Sequence, residues 1–478
     1  MMEFIKAAVP SVLTILMAAP LLYAFYMKRR GKLTDSLMCC AVIASGFVMR
    51  LIYIYYTNDY TRQHDLGNFS EPNNGHAGYI LRILNDHALP ETVRQEYSQY
   101  YHPPLHHIIC AGVLAVMRAF GGDIETHGGA VLQLLTVVYS TLFCVFSAGV
   151  MRRLGIKGKP LAIALACVTF HPTLIILSGS LNNDDLSSMF SAAAVYFTLR
   201  WYDSIKISDI ICIAFAVGLG MMTKLTVGLL APAIAAVFLA VLISGIKNSD
   251  WKKLVPQFIV FAVICLPLGL WWTIRLYVKF DMPLGFVPDL GEESGQFIAM
   301  SPLRRLFDFS LYQLSSPFTQ WEWSGAAYNE FNPVIALLKN AMFDEETFFA
   351  GSITLQSFCT LLFFAGAVTA VLSVYAIIKM WLGKEKISLE KRLLITLTFA
   401  TVFVNYITFC LNYPQVCTEN MRYCTPLILS GSAALGLLLG DEKAKALRKT
   451  ASASMISMAA LSAFVYTSMM FYQLPGGW

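Results

Sequence analysis

Charge is scarce in this chain. Of its 478 residues only 14% are Asp, Glu, Lys or Arg, while 56% are hydrophobic; a soluble domain carries roughly 25% charged residues. That deficit excludes an ordinary water-facing globular surface. Strict alternation of apolar and polar residues is also missing, which excludes a transmembrane β-barrel. The sequence contains no low-complexity tract, no appended soluble domain and no internal repeat. The net charge of +5 comes from short basic groups between apolar runs. Membrane topology explains such groups, so no nucleic-acid partner is expected.

What the chain has instead is long apolar sequence in runs of about 20 residues, each enough to cross a hydrocarbon core of roughly 30 Å. The predicted fold is therefore an all-α polytopic membrane protein, one domain over residues 1–478. Candidate spans are 7–26, 37–57, 129–150, 160–178, 186–202, 209–223, 225–244, 255–275, 354–379, 393–411, 425–439 and 452–472, about twelve crossings. The first run is too long for a signal-peptide core and its bases follow it, so it reads as a retained span. With these spans the clusters at Lys28-Arg29-Arg30, Arg152-Arg153, Lys252-Lys253, Lys391-Arg392 and Lys445–Lys449 share one side. The positive-inside rule makes that side cytoplasmic. The apolar stretch Pro103–Phe120 would upset this scheme as a crossing, so it is expected to lie flat on the outer leaflet or to be re-entrant. It gives the fold an external juxtamembrane helical region.

The outer side then collects a first loop, 58–128, and a second long one, 276–353, both rich in acid. Most of the eleven cysteines sit in apolar runs and act as small core residues. Cys417 and Cys424 flank a short polar loop and would pair only in an oxidising compartment. Tyr97, Tyr100, Tyr101, Trp321 and Trp323 suit the membrane interface as anchors.

Several polar residues interrupt this pattern near the outer face. Asp65 follows the second span by about eight residues; its position suits a solvated loop carboxylate as well as a reactive one. Asn182-Asn183-Asp184-Asp185 fills a short turn between spans, where Asn and Asp cap helices and where one acid could also bind a ligand. Lys224, Arg275 and Arg422 each stand at a span end on the acidic side, against the charge rule. They either snorkel to headgroups or grip a lipid phosphate, for which the arginine fork is well shaped. His102 and His106 have the i, i+4 spacing of some zinc sites, but no Cys or Glu completes such a set, which favours interfacial hydrogen bonding.

Taken in order, these residues resemble a family. The pattern Arg50…Asp65, His76-Ala-Gly-Tyr-Ile…Leu89-Pro90, His102-Pro-Pro-Leu105, Asn183-Asp184, Met222-Thr-Lys224, Trp272…Arg275 and Arg422-Tyr…Pro426 is similar to GT-C glycosyltransferases of the protein O-mannosyltransferase and aminoarabinose-transferase type. The resemblance runs from about Thr34 to Thr425. It implies a polyprenyl-phosphate-linked sugar donor, an unidentified acceptor, transfer with inversion on the extracytoplasmic face, and membrane lipid as the surrounding partner. It implies catalytic roles for Asp65 and Asp184, donor-phosphate binding by Lys224, Arg275 and Arg422, and support from His64, Asp185 and His102. Two departures stand out: His64 precedes the first-loop acid where the family pattern has a second acid, and a span precedes the usual first helix. No cofactor is fixed by the sequence; some members of the family use a divalent metal and others do not. The compact loops point to a bacterial plasma membrane. A polytopic transporter or flippase for a lipid-linked or anionic solute is the alternative, and it calls for charges near the bilayer midplane and inverted repeats.

Overall fold

In hydrocarbon each backbone N–H and C=O must be satisfied within its own segment, so uninterrupted apolar runs fold as helix. The computed structural model describes the chain except residues 1, 60–61, 72–73, 92–98, 249–250, 320–329, 346–351, 383–386, 443 and 473–478. Among the described residues there are seventeen α-helices and no β-strand. In chain order they are α1 (Met2–Arg29), α2 (Asp35–Tyr56), α3 (Gly75–Asp86), α4 (Leu105–Ala119), α5 (Ile124–Arg153), α6 (Gly158–Thr169), α7 (Pro172–Leu177), α8 (Asp184–Ser204) and α9 (Ile207–Met221). Then follow α10 (Ala231–Lys247), α11 (Trp251–Phe280), α12 (Pro302–Phe307), α13 (Pro333–Phe343), α14 (Ile353–Leu382), α15 (Leu389–Asn412), α16 (Pro426–Gly440) and α17 (Lys445–Tyr472). A 3-10 turn, Leu225–Leu230, leads directly into α10.

The all-α architecture is as expected; the count of about twelve crossings is not confirmed. Among the described residues eight helices are long and apolar enough to span a membrane, or nine if Val416–Cys424 and α16, bent by 50°, are taken as one. The run 160–178 is divided where Pro172 cannot continue α6 and instead opens α7. The run 209–223 becomes α9, whose 15 residues cover only about 22 Å at 1.5 Å per residue. Helix α8 carries Asp184, Asp185, Arg200 and Asp203 along an otherwise apolar course. Helix α4 has 15 residues, too few for an unaided crossing. Tyr97, Trp321 and Trp323 lie outside the described residues.

The helix ends form two groups. At one end Arg153 lies 2.9 Å and Lys391 3.0 Å from the Asp203 carboxylate, Lys391 also donates to the Arg153 carbonyl, and Lys379 pairs with Asp441 at 2.8 Å. At the other end the loops fold onto one another: the Leu105 amide donates to the Met222 carbonyl at 3.1 Å and the Val416 amide to the Gln296 carbonyl at 3.0 Å. In the core between them, α2 approaches α6 so closely that a Cβ at Gly46 would collide with Thr169. Arg50 uses that approach. Fully buried, it donates to Ser140 Oγ at 2.8 Å and to the Gly46 and Thr169 carbonyls at 2.9 and 3.1 Å. Its hydrogen bonds join helices and do not go to Asp65. All eleven cysteines are free, so Cys417 and Cys424 are not bridged.

Candidate active site

At the loop end of the bundle a chamber of about 450 Å³ opens between the first loop, the start of α8, the turn before Leu225–Leu230, α11 and the end of α15. Asp65, His76, Tyr101, His102, Asp184, Lys224, Arg422 and Tyr423 line its polar part; Leu229, Leu276, Phe286 and Phe409 line an apolar flank. Five of the site residues named from sequence, Asp65, His102, Asp184, Lys224 and Arg422, thus share one cavity, although they are up to 357 positions apart (Asp65 and Arg422).

Asp65 owes its position to a tight loop. Its carbonyl accepts the His76 amide at 2.9 Å and the Leu66 carbonyl accepts Ala77 at 2.8 Å. Gly75, at φ +61°, makes this possible, since a Cβ there would strike the Asp65 carbonyl. Asp65 itself is at φ +55°, a left-handed conformation that Asp tolerates better than most residues. Its side chain is exposed to the chamber and has no hydrogen-bond or ion-pair partner among the described residues.

Asp184 is differently placed. It is buried in the first turn of α8 and pairs with Lys224. Burial would raise its pKa, but Lys224 and then Arg422 outweigh that and hold it below the usual carboxylate value. Asn183 Nδ2 donates to the Thr223 carbonyl at 2.9 Å, which fixes the two turns to each other. The Lys224 ammonium lies 4.7 Å from the Tyr423 ring centre, and the Arg422 guanidinium 4.8 Å from the same ring. Arg422 donates to the Tyr423 hydroxyl at 2.7 Å. Lys224 and Arg422 thus line the chamber together with two carboxylates, Asp184, which is paired with Lys224, and Asp65.

His64 does not line the chamber. It lies behind it, buried, with Nε2 2.9 Å from Asp344 and Nδ1 2.7 Å from Glu345. Burial and Arg422 oppose its protonation, but the two carboxylates prevail and raise its pKa to about 10. Asp344 is pushed the other way: burial raises its pKa, and His64 together with a 2.7 Å hydrogen bond from Asn420 brings it well below the usual value. Asp344 sits at φ +65°, ψ −170°, a region kept almost to glycine that costs about 1–3 kcal/mol. The triad ties the first loop to the second and, through Asn420 and Arg422, to the segment before α16. His64, Asp344 and Glu345 are also the one group of three metal-type ligands found among the described residues, their atoms within 4.8 Å of one another. One nitrogen and two carboxylates suit a divalent ion by type. As arranged, however, each imidazole nitrogen already meets a carboxylate, and Arg422 stands 3.9 Å from Glu345.

The remaining sequence candidates divide. His102 lines the chamber, stacked 5.6 Å from His76; burial and then Lys224 lower its pKa to about 3, so it acts as a neutral ring. His76 meets His107 through a 2.9 Å contact, and His106 bonds Cys110, so the His102/His106 spacing builds no metal pair. Asp185 points into the helix core, where its carboxyl oxygens have no hydrogen-bond partner among the described residues. Arg275 is also outside the chamber lining: it donates to the Pro90 carbonyl at 2.8 Å and stacks 4.7 Å from Trp272. Sequence reasoning missed the roles of Asp344, Glu345, Asn420 and Tyr423. Tyr423 could have been noted, since it adjoins Arg422 in the recognised motif.

Residues 101–272, a little over a third of the chain, match the model of a family described as dolichyl-phosphate-mannose-protein mannosyltransferase. The resemblance read from the sequence is borne out there, and His102, Asp184 and Lys224 fall inside the matched stretch. No curated protein matches the chain. Among solved structures, the chain is similar to the oligosaccharyltransferase of Archaeoglobus fulgidus tethered with an acceptor peptide (12% identity, 90% of this chain and 55% of that one, TM-score 0.48). It is also similar to ArnT from Cupriavidus metallidurans bound to undecaprenyl phosphate (13% identity, 90% and 77%, TM-score 0.38). The chain thus spans about half the length of the archaeal enzyme.

Proposed function

We propose that this protein is a membrane glycosyltransferase of the GT-C type that moves a sugar from a polyprenyl-phosphate-linked donor to an acceptor, with inversion. The observation that carries the reading is the chamber itself. An unpaired carboxylate, Asp65, and two cations, Lys224 and Arg422, face a single cavity with an apolar flank between Leu229 and Phe409. The family matched over 101–272 is described by a dolichyl-phosphate-mannose donor, which agrees with that combination.

In this reading the acceptor hydroxyl or amine attacks the anomeric carbon while the bond from that carbon to the phosphate oxygen breaks. Asp65 takes the acceptor's proton, work typically worth about 10²–10⁴ in rate. Arg422 and Lys224 stabilise the charge that gathers on the departing phosphate, in a site partly shielded from water. Asp184 keeps Lys224 in place. The apolar flank receives the first isoprene units. The chamber opens away from the helix ends that carry Arg153 and Lys391, so by the positive-inside rule it faces the extracytoplasmic side; the short loops suit a bacterial plasma membrane. The sugar and the acceptor are unassigned.

The test is transfer by the purified protein in proteoliposomes, supplied with a panel of radiolabelled polyprenyl-phospho-sugars and candidate acceptors. Release of free polyprenyl phosphate with label on an acceptor supports the reading. Intact donor carried across the bilayer without cleavage would replace it with the transport alternative.

A further inference from the structure

One surface lies apart from the chamber and has no role in the transfer reading. Residues 302–314 hold α12 and a 3-10 turn (Leu311–Leu314) in the second long loop. One side of this segment is bound tightly to the bundle. Arg305, only 1% exposed, donates to the Phe331 carbonyl at 3.2 Å, the Cys410 carbonyl at 2.6 Å and Glu419 at 2.6 Å. Gln313 is fully buried and its Oε1 accepts the Phe331 and Asn332 amides. The other side is strongly apolar and open: Leu303 is 70% exposed, Phe307 74%, Phe309 53% and Leu311 81%. Leu303 and Phe307 share a helix face by their i, i+4 spacing.

Depth decides what covers this face. Cys410 lies two residues from the end of α15, a candidate span ending at Asn412, hence about 3 Å from its tip. The Arg305–Cys410 bond holds α12 at that level, the boundary of hydrocarbon and headgroups. Val278, near the end of α11, and Ile353, at the start of α14, are also widely exposed. The open apolar face of α12 thus lies, like these two residues, at the level of a span end. Arg304 and Asp308, paired at 3.3 Å, supply the polar groups that an interfacial helix turns toward headgroups.

We propose that residues 302–312 form a membrane-seated segment that sinks Leu303, Phe307, Phe309 and Leu311 into the leaflet on the chamber side. The occupant of the face is lipid acyl chain. Because Arg305 also holds Glu419 and the end of α15, the segment fixes the rim of the chamber relative to the bilayer surface.

The experiment places a fluorescent coumarin amino acid at position 303, 307 or 311 of the full chain, reconstituted at one protein per nanodisc of phosphatidylglycerol and phosphatidylcholine. Quenching by phosphatidylcholine doxyl-labelled near the headgroup is compared with quenching by aqueous iodide, and a coumarin at position 304 serves as reference. A side chain sunk about 5–10 Å into the interface is shielded from the anion, so the doxyl effect should exceed the iodide effect roughly twofold or more at all three positions. Iodide quenching equal to or above doxyl quenching overturns the proposal, as does the absence of both, which would mean a protein cover. The readout needs no transferase activity, so it stands or falls separately from the reading of the chamber.

Discussion

Replacing His64 by Phe tests the ion triad behind the chamber. The ring volume is nearly kept while the charge that satisfies Asp344 and Glu345 is lost. Folding raises the His64 pKa from its ordinary 6.5 to about 10. A raised folded value means stability that is full below pH 6.5 and fades as pH climbs through 10. The linkage relation makes this worth about 3 kcal/mol at pH 7.5 and only a small fraction of that at pH 10. That agrees with the roughly 3–5 kcal/mol usually lost when one member of a buried ion pair is removed. For a chain of this size about 3 kcal/mol corresponds to a shift of about 3 °C in the unfolding midpoint. The assay is thermal unfolding of wild type and H64F in the same detergent at pH 7.5 and pH 10. The variant should melt lower at pH 7.5 and the gap should close toward pH 10. An unchanged gap at both pH values, or none at pH 7.5, would refute a protonated His64.

Three further outcomes follow from the same geometry. Gly75→Ala places a methyl group against the Asp65 carbonyl and should cut transfer at least tenfold, with donor binding largely kept, as measured by steady-state kinetics and by donor titration; such displaced groups lose on the order of 10²-fold. Arg275→Ala should leave the donor KM within about twofold, because Arg275 holds the Pro90 carbonyl and does not line the chamber. Cys417 and Cys424, free in the fold, should both take up maleimide after denaturation without reductant, read as mass added to the peptides that contain them.

Much of the architecture was legible because apolar run length is a direct physical requirement of the bilayer. The misjudged runs are those where length and hydropathy part company: 160–178 is cut by Pro172, and 209–223 is short. Asp65, Asp184, Lys224 and Arg422 were legible as exceptions, charged residues at span ends on the acidic side. Residue type alone does not separate Asp184 from Asp185; the resemblance ranked Asp184 first. Neighbours on a helix diverge by about 100°, so one meets Lys224 and the other enters the core. His64 was named as a supporting residue, but its ion pair could not be read, since Asp344 is 280 residues away. Arg275 shows the limit of an ordered motif: α11 runs on to Phe280, and the Arg275 guanidinium turns to the first loop.

The central claim is that Asp65 accepts a proton from the acceptor inside a chamber that binds a lipid phosphate. Single-turnover transfer from a labelled polyprenyl-phospho-sugar by wild type and Asp65→Asn measures it most directly. Because Asp65 has no partner among the described residues, the variant should keep its melting midpoint and donor affinity while the transfer rate falls about 10²–10⁴-fold. Transfer at the wild-type rate by an intact, donor-saturated variant would contradict the account.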